Sequence, residues 1–207
     1  MSNMAQPRIS GPLLAGLLLI LTAIPVVISI VRMGQIPLGA LPADAAKFTA
    51  VPLGLFFHAA GGAIFGLLGP LQFSRTMRGR FGRLHRWMGR VFVLAGLALG
   101  LTSLRLLWQF PDAGTWILTS ARLITGFALI AALGLGLRAA IGRDLARHRA
   151  WMIRAYAIGM GAATIALIMF PIYVITGAPL EGYLSDLAFV ASWLINIAVG
   201  EWVIRRR

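Results

Sequence analysis

Six long apolar runs set the pattern of this chain. They fall at about 13–31, 52–73, 91–108, 116–137, 150–175 and 187–204. A helix of roughly 20 residues crosses the hydrocarbon core of a bilayer, and each run is close to that length. The runs are rich in Leu, Ala, Ile and Gly and do not alternate, so they read as helices rather than barrel strands. A spanning helix also satisfies its own backbone hydrogen bonds, which lipid cannot do for it. The expected fold is all-α, a polytopic membrane bundle of six transmembrane helices. The connections are too short for a second domain, so residues 1–207 form a single transmembrane domain.

The first run follows a short polar start with Arg8 and is longer than a usual signal-peptide core, so it reads as an uncleaved span. The connection from Met33 to Thr49 is turn-rich, with Gly34, Pro37, Gly39 and Pro42, and holds Asp44 and Lys47. The two even-numbered connections, Ser74–Arg90 and Arg138–Arg149, are strongly basic. The final Arg205-Arg206-Arg207 shares their side, and the odd-numbered turns hold Asp112, Glu181 and Asp186. Under the positive-inside rule both termini and both basic connections face the cytoplasm. The expected location is the bacterial inner membrane, multi-pass, N-in and C-in.

Composition agrees. The chain is 59% hydrophobic and 12% charged, too little polar surface to cover a soluble globule. Its net charge of +13 would suggest nucleic acid in a soluble protein. Here the arginines flank spans, so the expected partners are the bilayer and its anionic lipids, and no nucleic acid. No cysteine is present, which removes disulfides, thiol catalysis and Cys-ligated metal centres.

Two strings stand out. His85-Arg86-Trp87-Met88-Gly89-Arg90 opens the third span, and His148-Arg149-Ala150-Trp151-Met152-Ile153-Arg154 opens the fifth. They share the order His, Arg, Trp, Met, Arg, with one residue inserted in the second. Each closes a hairpin of the same orientation, which suggests a parallel internal repeat of helix hairpins. Two of the chain's three histidines head these strings. Two readings are open. In the first, arginines set topology and Trp87 and Trp151 form a headgroup belt. In the second, His85, His148, Arg86, Arg90, Arg149 and Arg154 form a pocket at helix N-termini for something anionic: haem propionates, a quinone head or a phospholipid. The sharpest form has His85 and His148 ligating one haem iron.

The remaining histidine, His58, lies in the second span. Gly62, Gly66 and Gly69 follow on its face, leaving room for close helix approach or for a flat macrocycle. A histidine inside a span is a functional candidate by default. Arg122, Asn196, Glu201 and Gln72 are further candidates, with Tyr156 facing the same region. Glu201 is one turn from the terminal arginines, which are its simplest partners; an arginine of the basic loops is the other choice.

Several of these motifs together resemble a known family. His58 with Gly62, Gly69-Pro70-Leu71-Gln72-Phe73, the two His-Arg-Trp strings, Asn196 and Glu201-Trp202 resemble the DUF2306 family of predicted bacterial membrane proteins. The resemblance implies the architecture and no assigned activity. A weaker similarity is to the cytochrome b561-like superfamily, which implies b-type haem and quinol chemistry. With three histidines at most one bis-histidine haem could form, from His85 and His148, leaving His58 beside a quinone. The expected function is therefore ligand or redox work in the membrane, with haem or quinone as the cofactor. The alternatives are an accessory or scaffold subunit of a larger membrane complex and a small-molecule transporter. Few buried ionisable groups and no clearly broken helix pair speak against transport.

Overall fold

The computed structural model describes residues 11–111 and 114–206. Arg8, Asp112 and Arg207 lie outside the described residues, as does the side chain of Asp44. The elements are α1 (Gly11–Gln35), a 3₁₀ helix (Ala43–Ala50), α2 (Pro52–Gln72), α3 (Arg75–Arg80), α4 (Gly82–Gln109), α5 (Trp116–Ile141), α6 (Leu145–Gly159), α7 (Gly161–Thr176) and α8 (Gly182–Arg205). No strand occurs among the described residues. Six stretches there are long and apolar enough to cross a membrane, with α6 and α7 together forming the fifth.

The helices extend past the apolar runs at the arginine-rich end. α4 begins at Gly82, so the whole first His-Arg-Trp string is helical. α6 begins at Leu145 and takes in the second. His85 and His148 are each the fourth residue of their helix, the register an internal repeat requires. Two small residues make the turns into these segments. Ser74 accepts from the Met77 N–H at the start of α3, and Asp144 accepts from the Arg147 N–H at the start of α6.

α1, α2, α4, α5, α8 and α7 form a ring, closed where α7 meets α1, and α6 lies inside it against α5, α8 and α2. The core accordingly centres on α6. Ala155, Tyr156 and Ile158 are buried there among Phe65, Phe92, Leu129 and Leu133. Trp108 and Trp116, 88% and 77% exposed, flank the turn at the end opposite the arginines, as an aromatic belt would.

The fifth span is not continuous, contrary to the sequence expectation. It breaks at Met160, which has φ −78° and ψ 0°. The flanking glycines explain why. A Cβ on Gly159 would meet the Phe65 ring at 2.4 Å, and one on Gly161 would meet the Trp193 indole at 2.2 Å. Two large rings press on the chain from either side of Met160, and α7 leaves the joint to pack on α1 and α8.

Candidate functional site

The two His-Arg-Trp strings fold alike but present different faces. Successive helical residues turn by about 100°, so a residue three after the histidine shares its face and one two after it points away. Met88 is three after His85 and is buried, whereas Trp87 is two after and is 62% exposed. The extra Ala150 moves the tryptophan of the second string to the third place. Trp151 is half-buried, with its Cβ side against α5 at Gly136. Arg86 and Arg90 are exposed, while Arg149 and Arg154 are partly buried. The first string therefore turns its tryptophan and arginines toward the surroundings, and the second turns them inward.

His148 donates through Nδ1 to the Gly136 carbonyl at 2.8 Å. A carbonyl only accepts, so Nδ1 carries the proton. His85 is different. Its Nδ1 is buried and meets no hydrogen-bond partner. The charged groups that act on it are Arg78, His148 and Arg86, so the two histidines do share one region.

Two more buried polar atoms without a partner belong to the helices that pack around His85. One is the Gln72 side-chain nitrogen and the other the Tyr156 hydroxyl. Gln72 ends α2 and its amide oxygen lies against Gly89, one turn beyond His85 on α4. Arg78 holds the same corner by donating to the Gln72 backbone carbonyl at 3.1 Å. Tyr156 comes from α6 and lies across Gly69, edge-on to Phe73 with ring centroids 5.2 Å apart. Phe65 stacks on Phe92 at 4.3 Å beneath them. Gln72, His85 and Tyr156 thus belong to the three helices, α2, α4 and α6, whose Phe65, Phe92 and Tyr156 rings pack together.

Arg154 does not join this group. Its guanidinium makes a two-point contact with Glu201, Nε to Oε1 at 2.6 Å and Nη2 to Oε2 at 3.1 Å. It also rests on the Trp151 ring at 4.7 Å. Glu201 therefore takes the loop-side arginine rather than the terminal ones. The pair edges a second cavity of about 290 Å³ between α5, α6 and α8. Asn196 accepts from Thr164 at 2.8 Å, and its side-chain nitrogen is buried without a partner.

His58 lies at the other end of the bundle. Its Nδ1 is 3.3 Å from the Thr102 hydroxyl and 3.5 Å from that of Ser103. Both hydroxyls donate back to α4 carbonyls, Thr102 to Ala98 at 2.6 Å and Ser103 to Leu99 at 2.8 Å. They are left as acceptors, so His58 Nδ1 is the donor. The glycine face below His58 is not a macrocycle slot. Gly66 meets Val26 and Thr22 of α1, and Gly69 meets Tyr156. Neither His85 nor His148 lines either cavity. The residues present do not fit a haem on the glycine face of α2: the space expected for it is filled by side chains.

A family model described as a predicted membrane protein, DUF2306, matches residues 55–204. The chain belongs to the DUF2306 family. No curated protein and no solved structure matches it. The DUF2306 match contains every candidate above, from His58 to Glu201, and leaves α1 and the 3₁₀ helix outside. The chain is an integral membrane protein of this family.

A cavity of about 360 Å³ at the His58 end was not anticipated from sequence apart from His58 and Arg122. Lys47, Phe110, Thr125 and Trp193 complete it from four other places in the chain. Nothing in their spacing marks them, since the 3₁₀ helix and the Met160 joint bring them together.

Proposed function

We propose that the protein binds the head of a lipid-soluble carbonyl compound, a quinone foremost, at the junction of Gln72, His85 and Tyr156. One observation carries this reading: three helices that share one aromatic core each carry a buried polar atom without a hydrogen-bond partner, Gln72 Nε2 on α2, His85 Nδ1 on α4 and the Tyr156 hydroxyl on α6. Each such group left unsatisfied costs about 1–3 kcal/mol, so a set of three calls for something to bond to. The Gln72 amide and Tyr156 hydroxyl are donors, and His85 Nδ1 is a third in its N–H form. Carbonyl oxygens accept from all of them. The rings of Phe65, Phe73 and Phe92 give a flat apolar floor suited to a planar head. Under the positive-inside rule this junction lies near the cytoplasmic surface, where the arginines beside it meet anionic lipid.

Titration of the purified protein with a short-chain ubiquinone analogue, followed by tryptophan fluorescence, tests this. Saturable binding is expected, weakened about tenfold by Gln72→Ala or His85→Ala, the loss of one hydrogen bond of ~1.5 kcal/mol. Binding that neither substitution changes would refute it. The preparation is expected to show no Soret absorption; a band lost in His85→Ala would return the reading to haem.

A further inference from the structure

We infer that the cavity between α5, α6 and α8 is a lipid site, and that it holds one acyl chain of an anionic glycerophospholipid whose phosphate lies at the arginine end. Residue size explains the space. Ala128, Ala131 and Ala132 of α5, Ala157 of α6 and Gly200 of α8 line it, and none has a side chain long enough to fill it. A Cβ on Gly200 would lie 3.1 Å from that of Ala157, so α6 and α8 close the back of the cavity. Ala131, Leu135 and Ile197 line it and are exposed, so it opens outward between α5 and α8. In a bilayer that mouth meets lipid chains. The wall from Ala128 to Leu135 runs about 10 Å along the α5 axis. A volume of about 290 Å³ over that length is about 6 Å wide. A helix with its side chains is about 10 Å across and is too wide to enter, whereas a single hydrocarbon chain fits.

The polar lining gathers at one end. α5 and α8 run toward the arginine end and α6 runs from it, so Trp151, Arg154 and Glu201 line that end and Ala128, Ile158 and Ile197 the deeper one. Arg154 and Glu201 hold each other and form the rim. Beyond the rim, two arginines continue the cavity walls. Arg138 is three residues after Leu135 and Arg205 is four after Glu201, so each shares a helix face with a lining residue. Both are exposed, and Arg205 is near enough to Glu201 to act on its charge. A guanidinium offers planar paired donors that match a phosphate. Basic pockets between helices take lipid head groups in this way. The quaternary ammonium of a choline head would face the same cations and be disfavoured. Gln72, His85 and Tyr156 do not line this cavity, so the site is independent of the quinone reading.

Native mass spectrometry of the intact chain in detergent, titrated with palmitoyl-oleoyl phosphatidylglycerol or with the matching phosphatidylcholine, tests this. One phosphatidylglycerol is expected to bind at least about tenfold more tightly than phosphatidylcholine, the worth of a charge-assisted contact. Ala131→Phe places a ring in the mouth at an exposed position and is expected to weaken phosphatidylglycerol at least about tenfold. Ile20→Phe, on the exposed face of α1, is expected to have no effect. Arg138→Gln and Arg205→Gln together, both at exposed positions, are expected to bring the two lipids to within about threefold of each other. The inference is overturned by equal affinity for the two lipids, by binding indifferent to Ala131→Phe, or by a preference that survives loss of both arginines. A dimer that Ala131→Phe dissolves would overturn it too, since the occupant would then be a second copy of the chain.

Discussion

Gly61 and Gly62 are neighbours on α2 that look onto different surroundings, and the contrast gives a sharp test of how the bundle is held. A Cβ on Gly61 would lie 2.8 Å from the Ala95 carbonyl oxygen and 3.1 Å from the Leu99 nitrogen, both backbone atoms of α4. An ordinary contact begins near 3.4 Å, so α4 would have to retreat by about 0.6 Å along the best-packed seam of the molecule. A Cβ on Gly62 would meet only side-chain atoms, Ser29 Oγ at 3.5 Å and a Leu99 methyl at 3.8 Å. Replacing either glycine by alanine gains about 1 kcal/mol of helix propensity. That gain is common to both and cancels in their difference. What is left is the collision, about 1–3 kcal/mol for overpacking a filled seam. Gly62→Ala is therefore expected to be neutral or stabilising and Gly61→Ala to be less stable than Gly62→Ala by that amount. Unfolding in mixed micelles with rising dodecyl sulfate, followed by tryptophan fluorescence, measures both. Equal stabilities would refute the claim that α2 and α4 touch backbone to backbone at this level.

Three other outcomes are expected. In a double-mutant cycle of Arg154→Gln and Glu201→Gln, the coupling should be about 1–3 kcal/mol, between an exposed and a buried pair, because both side chains are about a third exposed (32% and 31%); the same micelle unfolding reads it. Trp151→Ala should destabilise by at least ~1 kcal/mol more than Trp87→Ala, since Trp151 packs on Gly136 and carries Arg154 while Trp87 is 62% exposed. The chain has no cysteine, so single cysteines report topology cleanly. On intact cells an impermeant maleimide should label Thr49→Cys and spare Arg83→Cys, both exposed positions. The reverse pattern would invert the orientation drawn from the arginines.

The number of spans and their helical type were legible because apolar length alone decides them in a bilayer. Their ends at the arginine side were not. Hydropathy reports where lipid stops, whereas Gly82–Arg90 continues the helix into the polar interface. The Met160 joint was hidden inside an unbroken apolar stretch. Its only local mark was glycine on either side, and its cause, the rings of Phe65 and Trp193, comes from distant helices. His85, Gln72 and Tyr156 were singled out as chemically unusual residues, and each carries a buried polar atom without a hydrogen-bond partner. Arg154 was assigned to the same group, but its carboxylate partner lies 47 residues away, and one-turn spacing favoured the terminal arginines instead. The inserted Ala150 was visible as a change of spacing, and counting turns from His148 would have separated the roles of Trp87 and Trp151.

That separation in sequence between Arg154 and Glu201 has a consequence during synthesis. The arginine leaves the ribosome 47 residues ahead of the carboxylate it pairs with, Glu201. Until the last helix is made, α6 must bring a guanidinium to the membrane without its counter-ion. Trp151 is on the same helix, one turn back, and its ring already lies 4.7 Å from that charge. A cation over an indole face is partly compensated as soon as the turn forms, with no distant element required. The Trp151 ring, on the same face of α6, is thus within reach of the guanidinium before α8 is made.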